Sequence, residues 1–494
     1  MSLAKKIAHN TLVQIIGKII STILGLLALA LITRYLGPEI FGDYTTITTF
    51  LTFFAVIADL GLTLVTVQMI SGEKNQSKEN LILSNLFSLR LISVLIFIGL
   101  APIFVLFMPY SQTIKIGVLI AALSFIFPAL NQVIIGLLQK RLSMDRSALA
   151  EVICRVVLVV GIVVAIKNNT GLTGILVVTV LSASINFVFH YLFSRKFAKI
   201  KFKIDFSIWK KILTKSWPLA ITIVLNLIYL RADVLILSLY RSSTEVGLYG
   251  ATYKVIDVLT SIPFMFAGLI LPILTASWLE KKISYFKHVL QKSFDFMAII
   301  AIPLIIGSQF LAEKIMIYIA GPEFTGSGII LKYLIVSVAA IFLGTMFSHA
   351  VIALDKQKKL IWFYVFTSLS SLLAYFIFIP RFSYLGAASV TIYSEVLIGC
   401  FSAYCVYKYS KFLPNFTILV KSLGAAALMG IFLYFFPEQY QTKLVGLILL
   451  IILASLIYFL CLYLLGGIDT KTLKSFFAKS NKGGPQIYDQ NSNL

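Results

Sequence analysis

Residues 11–44 read TLVQIIGKIISTILGLLALALITRYLGPEIFGDY, and this stretch decides the fold class. From Thr11 to Thr33 it carries a single charge, Lys18, within 23 residues. An apolar run of 18 or more residues is long enough to cross the hydrocarbon of a bilayer as a helix. The run then exits into Tyr35-Leu-Gly-Pro-Glu39-Ile-Phe-Gly42-Asp-Tyr44. The run is too long for the apolar core of a signal peptide and lacks a small-residue cleavage site. It therefore reads as a retained first span, despite Lys5 and Lys6 ahead of it.

The pattern repeats along the chain. Apolar runs bounded by charges or turn residues fall near 11–34, 44–70, 81–108, 116–138, 149–166, 171–193, 217–240, 248–276, 289–312, 328–352, 361–380, 385–407, 414–436 and 442–466. Pro263 and Pro272 are expected to break the long eighth run. The 494 residues are 59% hydrophobic and 13% charged, with a mean hydropathy of +0.95. A water-soluble surface needs about 25% charged residues, so lipid solvates most of this one. The expected fold is an all-α polytopic membrane protein of about fourteen transmembrane helices.

Net charge is +22, but the basic residues alternate with apolar spans, as juxtamembrane lysines beside anionic headgroups do, so nucleic acid is excluded as a partner and membrane lipids are expected. With the N-terminus inside, 29 lysines and arginines fall on the cytoplasmic side and 7 on the other. That asymmetry supports an even number of spans and places both termini in the cytoplasm. Cys154, Cys400, Cys405 and Cys461 lie within spans without a C-x-x-C, and the four histidines have no ligand spacing, so neither disulfide, metal nor cofactor is expected.

An internal repeat organises the spans. Tyr35, Glu39, Gly42 and Tyr44 after span one are echoed by Tyr240, Glu245, Gly247 and Tyr249 after span seven. Leu172-Thr-Gly174 before span six is echoed by Leu385-Gly386 before span twelve, and the basic exit of span four (Lys140, Arg141) by that of span ten (Lys356, Lys358). Offsets of 206 to about 216 residues keep the copies in register. The layout is an N-lobe over 1–193 (spans one to six), a basic cytoplasmic linker over 194–216, a C-lobe over 217–407 (spans seven to twelve), spans thirteen and fourteen over 408–466, and a cytoplasmic tail over 467–494. Parallel repeats of this kind place a substrate between lobes that rock against each other. The linker carries Arg195, Lys196, Lys199, Lys201, Lys203, Lys210, Lys211 and Lys215. Its Lys/apolar alternation over 199–204 suits either an interfacial segment or a plain topology determinant.

The chemistry resides in charges inside the spans: Lys18, Asp59, Arg90, Arg155, Arg231, Asp233, Lys254, Asp257, Asp295, Lys332 and Glu395. Six cations facing lipid would cost on the order of 15 kcal/mol, so they snorkel, pair or line an aqueous cavity. Arg155 follows Glu151 by four residues and is expected to pair with it. Lys254 and Asp257, three apart, either neutralise each other or line the cavity. Lys18, Arg90 and Arg231 have no obvious local partner and are cavity candidates. Asp233 cannot neutralise Arg231 from the same face, because two residues turn a helix by about 200°. Asp59 and Glu395, near mid-span, and Asp257 are candidates for a coupling-ion or proton site, with buried structural pairing the alternative. Arginine's planar fork suits a diphosphate, and a cavity with surplus cations selects anions.

Three motifs carry a resemblance: RYLGPEIFGDY over 34–44, Asp59-Leu60-Gly61-Leu62 late in span two, and EVGLY over 245–249 after span seven. In their order and in the 6+6+2 layout, the chain resembles the Wzx-type oligosaccharide flippases of the multidrug/oligosaccharidyl-lipid/polysaccharide (MOP) exporter superfamily. The resemblance implies a bacterial inner-membrane transporter, not an enzyme. It would flip an undecaprenyl-diphosphate-linked oligosaccharide outward by alternating access, driven by an ion gradient (H+ or Na+). Polysaccharide polymerase or chain-length machinery would be its partners. Lys18, Arg90, Arg231 and Lys254 would be the counterparts of the family's cavity cations. The rival readings are a drug/cation antiporter of the same superfamily and a peptidoglycan-precursor flippase. A membrane glycosyltransferase or polymerase is disfavoured, because every outward connection is short, the longest being roughly 313–328.

Overall fold

A computed structural model describes residues 3–73, 75–437 and 443–468; the expected tail over 467–494 lies almost entirely outside the described residues. The helices are α1 (Leu3–Asp59), α2 (Leu62–Ser71), α3 (Gln76–Leu106), α4 (Gln112–Lys140), α5 (Met144–Lys167), α6 (Gly171–Ser194), α7 (Phe206–Tyr240), α8 (Ser243–Leu279), α9 (Ile283–Ala320), α10 (Ser327–Ala353), α11 (Gln357–Ser410), α12 (Thr417–Phe435) and α13 (Leu444–Leu464). No strand occurs among the described residues.

Twelve of these helices are long and apolar enough to cross a membrane. Two of the twelve are double. In α1, Gly37 (φ 68°) turns the chain and Pro38 opens the second half, where its missing N–H is no loss. In α11, Ser383 (φ 53°) divides two spans in the same way. Counting both halves, the described residues make fourteen candidate spans, the number expected.

Local outcomes differ from expectation in three places. The second span, expected unbroken over 44–70, stops at Asp59, where Leu60 (φ 48°) and Gly61 (φ 72°) adopt the left-handed region, and resumes as α2. The eighth run is not broken: α8 runs through both Pro263 and Pro272, as membrane helices tolerate when neighbours satisfy the freed carbonyls. The linker is not all loop, since α7 begins at Phe206, capped by the Asp205 carboxylate accepting from Ser207 and Ile208 N–H.

Helices α1 and α3–α6 pack on one another, as do α7–α11, while α12 and α13 lie against α9. Ile302, Leu311, Ala425, Met429, Leu450, Ala454 and Tyr458 form the contact that seats the last two. The outward faces stay apolar, with Leu449, Leu456 and Leu460 of α13 fully presented, which only lipid stabilises.

The two groups meet closely at the end remote from the linker. There the second half of α1 crosses the start of α8 at glycines. A Cβ on Gly42 would collide with the Ser243 carbonyl, and one on Gly247 with the Pro38 carbonyl, while Gly247 also sits against the Gly42 nitrogen. These are the two glycines of the echoed motifs. Hydrogen bonds reinforce the crossing: Ser243 donates to Asp43 (2.7 Å), Arg34 to the Tyr318 and Ile319 carbonyls (2.5 and 3.3 Å), and Tyr110 and Ser238 share one (2.8 Å). This end is closed by direct contact of the two groups.

Candidate functional site

Arg231 sits in the middle of the α7 span. Its Nη2 donates to Asp257 Oδ1 of α8 at 2.5 Å, and its guanidinium lies 4.9 Å over the Tyr253 ring. Both partners of this pair keep access to a solvent probe, at 30% and 38%. One helical turn of α8 therefore presents Tyr253, Lys254 and Asp257 together. Lys254 is exposed, and the charges acting on it are Asp257, Arg231 and Arg155.

Arg155 belongs to α5, in the other group, so the cluster straddles the two. It rests on α1 at Gly25, where a Cβ would be 4.0 Å from the guanidinium, and its charge reaches Tyr44 as well. Three cations, Arg155, Arg231 and Lys254, thus stand against two carboxylates, Asp257 paired with Arg231 and the buried Asp233 that also acts on it, which leaves one positive charge in excess. Surplus positive charge attracts anions and repels cations. Two guanidinium forks and a flexible ammonium match the oxygens of a diphosphate.

Asp233 points the other way from Arg231, as the two-residue step requires. It is fully buried and accepts from Tyr253 (2.5 Å), Tyr249 (2.7 Å), Thr391 (3.3 Å) and the Val234 N–H (2.7 Å). Tyr253 therefore links a buried carboxylate to the cation cluster: its hydroxyl holds Asp233 and its ring carries Arg231.

The remaining residues fall elsewhere. Arg90, expected to lack a local partner, is buried against Asp59: its Nη2 donates to Asp59 Oδ1 and, at 3.0 Å, to Thr63. The correction has a physical cause. The break at Leu60-Gly61 ends α1 at Asp59 and turns that carboxylate toward α3. Lys18 is corrected likewise: its Nζ lies 3.8 Å from Glu151 of α5, both being well exposed. Glu151 is thereby taken from Arg155, so the expected Glu151–Arg155 pair does not form and Arg155 is left to the interior cluster. Lys254 and Asp257 do not form an ion pair with each other, because Asp257 is turned to Arg231. Glu395 is buried on the second half of α11, with Oε1 unpartnered among the described residues. The structure brings together Arg231, Lys254 and Asp257, and holds Lys18, Arg90, Asp59 and Glu395 apart from them. Arg155 and Tyr253 are the members that sequence reasoning missed. No signal in the sequence could have found them, because Lys18 reaches Glu151 from another helix and Tyr253 meets Arg231 only through the packing of α7 on α8. No group of three or more His, Cys, Asp or Glu positioned to hold a metal ion occurs among the described residues.

Comparison with known proteins bears on this arrangement. A probable flippase, AglR of Haloferax volcanii, is 22% identical over 206 residues, which cover 41% of this chain and 43% of that protein. The chain thus aligns with less than half the length of that relative. Among solved structures, the lipid II flippase MurJ in an inward closed conformation superposes with a TM-score of 0.74 at 16% identity, covering 95% of this chain and all of that one. An inward-facing multidrug resistance MATE transporter of the MOP superfamily gives 0.65 at 16% identity, over 79% and 95% of the two chains. A MOP superfamily transporter from Pyrococcus furiosus, described as having a binding pocket of reverse polarity, gives 0.57 at 15%, over 82% and 96%. The fold is that of the MOP superfamily. Residues 7–278, more than half of the sequence and including α1 through nearly all of α8, match the family described as polysaccharide biosynthesis protein, and to that family this chain belongs.

Proposed function

We propose that the protein is a flippase for an undecaprenyl-diphosphate-linked oligosaccharide. Its site is the cluster of Arg155, Arg231 and Lys254. What supports this reading is the gathering of Arg155, Arg231 and Lys254 from both helix groups, one positive charge in excess of Asp257 and the buried Asp233. The lipid diphosphate enters from the linker end, which the positive-inside asymmetry assigns to the cytoplasm of a bacterial inner membrane. Its negative charge displaces Asp257 from Arg231 and draws the two groups together around the headgroup. Opening of the α1–α8 crossing then releases the sugar on the opposite side. An H+ or Na+ gradient supplies the drive, with Glu395 as the coupling carboxylate, and a polysaccharide polymerase takes the product. The surplus cations disfavour a cation antiporter, whose substrate this charge repels.

The test is flipping of a fluorescent undecaprenyl-diphosphate oligosaccharide in proteoliposomes. Charge-assisted hydrogen bonds contribute roughly 1.5–3 kcal/mol each, so Arg155→Ala, Arg231→Ala and Lys254→Ala should each slow flipping by about tenfold or more. Wild-type rates in all three would reject the cationic site, and indifference of wild type to imposed proton and sodium gradients would reject ion coupling.

A further inference from the structure

At the linker end, the chain from 199 to 205 runs extended along α3 and is fastened by a zipper of side chains. The backbone N–H groups of Lys199, Lys201, Lys203 and Asp205 donate to Asn80 (3.2 Å), Ser84 (3.0 Å), Ser88 (2.8 Å) and Asn85 (2.7 Å). Every second residue is thereby pinned, which turns the lysine side chains of this strap outward. The strap leads into the first turns of α7, which dock on the N-terminal helix group through Ile208, Trp209 and Ile212, against Leu62, Val65 and Leu86. The opposite face of those turns forms a shallow, open groove lined by Ser207, Lys210, Lys211, Thr214 and Lys215, all exposed. Among the described residues, no carboxylate lies within ion-pairing distance of these three lysines or the three of the strap. The nearby Asp205 is spent on capping α7.

We propose that this groove is a binding site for the headgroup of an anionic phospholipid from the surrounding leaflet. The Ser207 hydroxyl and three ammonium groups on successive turns supply donors and charge for one phosphate, while the Thr214 hydroxyl donates to the Lys210 carbonyl (2.7 Å), and no protein anion competes. Apolar side chains argue for a lipid over a soluble anion. Phe206 is 77% exposed, and Trp217, Leu213, Phe202 and Ile204 are exposed beside the lysines. In water this combination is unfavourable; at the headgroup level, aromatic rings and lysines belong together. Because α7 continues from this site into the span that carries Arg231, a bound headgroup fixes the start of that helix on the N-terminal group. The assignment does not depend on the transported substrate.

The full-length protein is purified in detergent and titrated, by native mass spectrometry, with phosphatidylglycerol, zwitterionic phosphatidylcholine and undecaprenyl phosphate. Retention of phosphatidylglycerol over phosphatidylcholine is expected, weakening with salt and by about fivefold per lysine removed in Lys210→Gln, Lys211→Gln and Lys215→Gln. An Arg231→Ala control should retain phosphatidylglycerol as wild type does. Equal retention of the two phospholipids, unchanged retention in the triple variant, or retention of undecaprenyl phosphate alone would each overturn the assignment.

Discussion

Arg90 and Arg231 show how one residue type takes two roles at similar depth. Arg90 is only 3% exposed and Asp59 15%, so the pair is sealed from water and fixes the break between α1 and α2. Removing one partner leaves a buried, uncompensated charge, which costs about 3–5 kcal/mol. Arg90→Ala should therefore lower the thermal unfolding midpoint sharply in detergent, and adding Asp59→Asn should recover part of the loss. Equal midpoints for wild type and Arg90→Ala would show that the clamp contributes nothing. Arg231 and Asp257, by contrast, are 30% and 38% exposed, and it is this pair that the proposed substrate anion would exchange. The sequence exposed the embedded charges and their cost but not their pairing. Partners such as Asp59 and Arg90 are 31 residues apart, and spacing rules reach only one or two turns of a helix. The Glu151–Arg155 assignment failed for the same reason: a third residue, Lys18, arrived from a helix more than a hundred positions earlier.

Helix counts were legible because a span must satisfy its own backbone hydrogen bonds and must match the bilayer in length. The break at Leu60-Gly61 was hidden by an apolar run that continues through it, and the prolines of α8 suggested a break that neighbouring helices prevent. The crossing of α1 on α8 was visible only as an echo of two glycine-containing motifs, and its meaning emerges from contact. A Cβ at Gly247 would stand 1.9 Å from the Pro38 carbonyl oxygen, so a valine must push that carbonyl away by roughly 1.5–2 Å to reach an ordinary contact. Gly247→Val should thus prop the sealed end open, lengthening the distance between spin labels at Phe107 and Thr325 in electron–electron resonance. An unchanged distance distribution would mean that this crossing is not the seal.

At the scale of the molecule, two helix groups are closed on each other at one end by backbone-to-backbone contact. At the other they are bridged by a basic strap and by α7, with surplus cations between. Lipid solvates the outside, so the inward charges find stability only from each other, from water in the cavity, or from a ligand. The central claim is that this space receives a lipid-linked diphosphate. Its most direct test is the structure, by electron cryomicroscopy, of the protein with an undecaprenyl-diphosphate oligosaccharide. The account predicts diphosphate density within hydrogen-bonding distance of Arg155, Arg231 and Lys254, with Asp257 turned away from Arg231. Diphosphate density confined to the outer helix surfaces, with the Arg231–Asp257 pair intact, would contradict it.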